Sequence, residues 1–110
     1  MRLRVAASLL SVLCSWVLWE KWILQNAGEP TARIVQAVAE AETLAECRAV
    51  SPGFAKQRAT MFRQSYKESE YGIMAGEFAA ILTNKSNNQT TQQYVYYCLP
   101  LTVDPYKDTQ

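Results

Sequence analysis

The sequence contains no histidine. Without an imidazole no serine or cysteine nucleophile has its usual proton acceptor, which excludes Ser-His-Asp and Cys-His catalysis. The cysteines form no C-x-x-C, and without histidine the chain lacks zinc ligands at the usual spacings. No metal or cofactor is expected. Charge of one sign is also lacking: setting aside Arg2 and Arg4 leaves nine Lys/Arg against ten Asp/Glu. A near-neutral chain has no overall field to steer it to nucleic acid or to an anionic membrane, so neither is expected as a partner of the domain itself.

Long apolar runs are missing too, with one partial exception. Val5–Trp19 carries no charge, follows Arg2 and Arg4, and stops at Glu20-Lys21. A basic start and an apolar stretch of this size make a secretory signal, while crossing the hydrocarbon core takes about twenty apolar residues. Residues 1–15 are therefore read as a signal segment. No A-x-A site ends the run, and Val12-Leu13-Cys14 and Leu13-Cys14-Ser15 place cleavage near residue 14 or 15. Two other readings use the same residues. A helix extended through Trp22-Ile23-Leu24 would make Trp16, Trp19 and Trp22 the interfacial belt of an uncleaved anchor facing outside the cytoplasm, with Glu20 and Lys21 awkwardly inside it. Lipidation at Cys14 is opposed by Leu13, because a small residue normally precedes a lipoprotein cysteine.

What remains is a chain for one domain, 110 residues in all, 49% hydrophobic and 19% charged. Cys47 and Cys98 form an even pair in a chain bound for an oxidising, extracytoplasmic compartment, periplasmic or secreted, and pairing is the default there. The alternatives are two buried free thiols or a metal site. A bridge closing roughly 50 residues would contribute on the order of 4 kcal/mol in the loop-entropy description.

Trp16–Gln25 reads as a strand with Trp16, Leu18, Trp22 and Leu24 on one face, interrupted by Glu20, and Asn26-Ala27-Gly28 as a turn. Residues 31–38 fit a returning strand, and their alanines fit a helix; the hairpin reading is adopted. Thr43-Leu44-Ala45-Glu46 is a capping box opening a helix over 44–68, with Cys47 in its first turn and a break near Val50–Gly53 where Ser51-Pro52 offers a second start. Phe54, Ala55, Ala59, Phe62 and Tyr66 recur at helical spacing as the core stripe. Lys56, Arg63 and Lys67 read as a solvated face.

Glu77–Ser86 and Gln89–Cys98 flank Asn87-Asn88 as a hairpin whose register sets Ile81 opposite Tyr94, Ala79 opposite Tyr96 and Glu77 opposite Cys98. Asn84-Lys85-Ser86 and Asn88-Gln89-Thr90 are N-x-S/T triplets at its tip, as a tract this rich in Asn, Ser and Thr produces by chance. Pro100 ends the last strand. The expected architecture is α+β: a small antiparallel sheet of two hairpins packed on one main helix, with one disulfide, spanning 16–103 and followed by a tail at 104–110.

The segments Trp16-Val17-Leu18-Trp19-Glu20, Glu46-Cys47 and Tyr97-Cys98-Leu99-Pro100 with Thr102-Val103-Asp104-Pro105 resemble, in order and spacing, a group of small uncharacterised exported bacterial proteins. The resemblance implies pairing of Cys47 with Cys98 and a mature start near Trp16, and it implies no activity. Leu101 stands where the group usually has an acid, so any role of that acid is absent here.

Three function classes follow. The first is a non-catalytic exported domain acting through protein or envelope contacts, with Trp16, Trp19, Trp22, Tyr94 and Tyr96 as the candidate surface, because three tryptophans in seven residues exceed the needs of a small core. The second is a hydrolase using paired carboxylates drawn from Glu68, Glu70 and Glu77, which requires two acids facing one cleft. A membrane-anchored accessory component, in which the first 24 residues persist as an anchor, is the third.

Overall fold

A computed structural model describes residues 15–26 and 29–103. The export segment with Cys14, the turn at 27–28 and the tail from 104 lie outside the described residues. Strand β1, Trp16–Asn26, pairs antiparallel with β2, Glu29–Ala41. Helix α1 follows, Leu44–Ser65, and then β3, Tyr71–Ala75, β4, Ala79–Asn84, and β5, Gln89–Pro100. The strands form one antiparallel sheet in the order β2-β1-β5-β4-β3, with the helix packed on it. The expected α+β class and the disulfide are both present: Cys47 and Cys98 are bonded, their Cα atoms 6.2 Å apart, an ordinary separation for a bridge.

Pairing of β1 with β5 brings the first and last strands to the middle of the sheet and aligns Leu18 with Cys98, Glu20 with Tyr96, and Trp22 with Tyr94. Since successive side chains alternate, these residues share the face turned to the helix. The helix answers with small residues. Ala55 and Ala59 are fully buried and let its backbone lie close to the sheet, while Phe62 fills the space one turn on. Leu18, Leu82 and Tyr96 complete the core. Burying a leucine such as Leu82 contributes about 1.5–3 kcal/mol.

Three local expectations are corrected. The helix runs unbroken through Pro52. An interior proline costs about 3 kcal/mol, but here Cys47 is bonded to β5 on one side of it and Ala55 and Ala59 are packed on the other. Ser51 Oγ also donates to the Glu77 carbonyl, tying the helix to the β3–β4 turn. Secondly, the β4–β5 turn is residues 85–88 rather than Asn87-Asn88 alone, although Asn88 does adopt the left-handed conformation, φ 58°. Thirdly, a bulge at Thr91, whose hydroxyl donates to the Leu82 carbonyl, shifts the register so that Ala80 faces Tyr94 and Ala79 faces Val95. A one-residue slip exchanges the faces of a strand. Ala80 and Leu82, not Ala79 and Ile81, therefore join Tyr94, Tyr96 and Cys98 beneath the helix.

Candidate interaction surface

Glu20 is 2% exposed at the centre of the sheet. Its neighbours in register are Gln36 on β2 and Tyr96 on β5, and Arg58 reaches down from the helix. Arg58 Nε donates to Oε2 and Nη2 to Oε1, each at 2.9 Å; Tyr96 Oη donates to Oε2 at 2.6 Å and Gln36 Nε2 to Oε1 at 2.8 Å. A buried carboxylate is tolerated only when paired and fully hydrogen-bonded, and four bonds on two oxygens meet that requirement. Burial pushes the Glu20 carboxyl up, but the bonds from Arg58, Tyr96 and Gln36 and the Arg58 charge outweigh it and hold it below the usual carboxylate range. The bond to Glu20 raises Arg58 further, and burial with the bond to Glu20 raises Tyr96. No proton exchange at neutral pH follows from this arrangement.

The aromatic residues surround that ion pair. The guanidinium of Arg58 lies 4.3 Å from the centroid of the Tyr94 ring, a cation–π contact. Trp22 stacks on Tyr94, their centroids 6.1 Å apart, and Phe62 stands 5.8 Å from Tyr94. Gln92 joins Trp22 to Tyr66, accepting from the indole Nε1 at 3.2 Å and donating to the phenol at 2.7 Å. Tyr94 is raised by burial, partly offset by Arg58.

The five aromatic residues singled out as a surface thus part company. Tyr96 is 2% exposed and bonded to Glu20, so it faces the interior and presents nothing to a partner. Trp16, Trp22 and Tyr94 are half-buried; Trp16 and Tyr94 pack against the core and Trp22 stacks on Tyr94. Trp19 projects from the opposite face in register with Tyr97. The large apolar side chains that are exposed are others: Ile34, Met61, Met74 and Phe78. Two of these, Met74 and Phe78, belong to β3 and the turn after it.

The candidate acids do not meet. Glu68 pairs with Arg63 at 3.2 Å, both exposed, and Glu70 precedes β3 while Glu77 follows it. A strand rising about 3.3 Å per residue separates the two ends by roughly 20 Å. Glu70 lines a shallow hollow with Tyr71 and Lys85; Glu77 lines another with Pro52 and Lys56. Among the described residues no group of three or more Cys, Asp and Glu side chains is placed to hold a metal, and no helix is long and apolar enough to cross a membrane.

The disulfide points to an oxidising, extracytoplasmic environment. No family model, curated protein or solved structure matches the chain.

Proposed function

We propose that this chain is an exported, disulfide-stapled domain that works by binding a protein of the cell envelope rather than by catalysis. One observation carries the reading: the most elaborate polar constellation, Glu20 with Arg58, Tyr96 and Gln36, is closed on itself, every carboxylate oxygen used within the fold. A catalytic carboxylate must face substrate and exchange a proton near the working pH. Glu20 does neither, and Glu70 and Glu77 stand at opposite ends of a strand. The exposed apolar side chains Met74, on β3, and Phe78, in the turn after it, are instead open to contact.

The test is affinity capture from envelope extract with the oxidised domain as bait, beside a mass measurement of the native chain. The reading expects a reproducible protein partner and a processed N-terminus near residue 15 or 16. An intact N-terminus in the membrane fraction would select the anchored form of the same domain. Absence of any protein partner, including a second copy of the chain, would overturn the interaction reading.

A further inference from the structure

The geometry points to a second copy of this chain as the occupant of the open edge of β3, joined by antiparallel strand pairing about a two-fold axis through Ile73. The inference narrows the protein-binding reading to one edge and one partner.

Backbone directions on β3 follow from two hydrogen bonds. Lys85 N donates to the Glu70 carbonyl and Gly76 N to the Ala79 carbonyl. Within an antiparallel pair the hydrogen-bonded positions alternate. Residues 70, 72, 74 and 76 therefore turn their amides and carbonyls to β4, and Tyr71, Ile73 and Ala75 turn theirs outward. No described strand lies beyond β3. The Tyr71 amide is already used, donating to the Lys67 carbonyl at 2.9 Å. That leaves two free donors on the edge, Ile73 and Ala75.

Pairing about Ile73 uses both. Ile73 of each copy bonds Ile73 of the other in both directions, and each Ala75 amide meets the Tyr71 carbonyl of the second copy. Four bonds form and no outward strand donor is left over. In the same register Met74 lies opposite Gly72 of the second copy. Met74 is 56% exposed, and a Cβ built on Gly72 meets nothing closer than 3.9 Å, so a protruding side chain is set against open space, twice by symmetry. The antiparallel arrangement also brings the hollow holding Glu70 and Lys85 towards the hollow holding Glu77 and Lys56 of the second copy. Glu70 and Glu77 form no ion pair among the described residues, and each hollow carries one lysine, Lys85 or Lys56. The surface is complementary to itself, as a two-fold interface requires.

The two borders of the sheet are treated differently. Strand β2 carries Pro30, Arg33 and Glu40 and two bulges, at Val38 and Thr31, all devices that discourage edge pairing. Strand β3, Tyr-Gly-Ile-Met-Ala, has no charge, no proline and, against β4, no bulge.

Five paired residues per copy bury less than a standard interface, so dissociation in the range of about 10 μM to 1 mM is expected. The experiment is sedimentation of the oxidised chain up to ~1 mM, with amide exchange measured at low and high concentration. A dimer is expected in which the Ile73 and Ala75 amides slow about tenfold with concentration while those of Gly72 and Met74, bonded to β4, do not change. Ala75→Pro removes an outward donor without touching the β4 ladder and should weaken association about tenfold or more. Met74→Lys, exposed and clear of the core, should do the same if Ala75→Pro disturbs folding. A monomer at ~1 mM overturns the inference. So does a dimer whose protection falls on β2 or the helix, or one that survives both substitutions. Capture of a different envelope protein by a monomeric chain would overturn this pairing and leave the broader binding function standing.

Discussion

Glu20 and Arg58 differ in how far each depends on the other. Glu20 is 2% exposed, whereas the Arg58 side chain keeps 24% of its surface in water. Replacing one partner of a buried pair strands the other. Arg58→Met leaves a deeply buried carboxylate and should cost about 3–5 kcal/mol; Glu20→Gln leaves a guanidinium that can reach solvent and should cost less, about 2–3 kcal/mol. Denaturant unfolding measures both. The pH dependence separates them further. The folded carboxyl of Glu20 is held below its ordinary 4.5, so its stabilisation is complete above that value and is lost as pH falls towards the folded pKa. In Arg58→Met burial acts without its counterweight and raises the folded pKa, so stability should decline as pH rises through and beyond the ordinary value. Glu20→Gln should show neither slope. Unfolding curves from pH 3 to 7 in which Arg58→Met is no less stable than Glu20→Gln would refute the assignment.

Among the elements, the helix start tests local chemistry most directly. Glu46 N donates to Thr43 Oγ1 at 3.1 Å, so the hydroxyl half of the capping box is made. The Glu46 carboxylate accepts from that same hydroxyl at 3.3 Å. Thr43→Ala should destabilise by about 1 kcal/mol, and Thr43→Ser should recover most of it. The box was legible because capping is written within four residues. The helical stripe Ala55, Ala59 and Phe62 and the strand from Trp16 were legible for the same reason, since both depend on short periods. Register was not: the bulge at Thr91 reverses which face of β4 is buried, and no residue type nearby announces it. Glu20 illustrates the remaining gap. Its alternation with Leu18 and Trp22 places it on the inner face, yet a carboxylate there reads as an interruption until Arg58, 38 residues away, is seen to reach it. Strand β3 went unread because five residues containing a glycine give too weak a pattern. The open edge and the exposed Met74 went with it.

At the scale of the whole molecule, one covalent bond joins the start of the helix to the central strand β5. Replacing both Cys47 and Cys98 by serine should cost about 2–4 kcal/mol and lower Tm by about 10–20 °C, read by thermal unfolding against the oxidised chain. The bridge also divides the chain in a way that packing does not. Most of α1, all of β3 and β4 and most of β5 lie inside the covalent loop, while the β1–β2 hairpin lies outside it. Drawn apart from its two ends, an oxidised molecule would surrender the chain up to Cys47, the hairpin included, and the twelve residues after Cys98. The loop between the cysteines, a sequence separation of 51 and roughly 170 Å of contour, would stay closed by the bridge. A tether built this way has a hard mechanical stop, and the border proposed for pairing, β3, sits on the inextensible side of it.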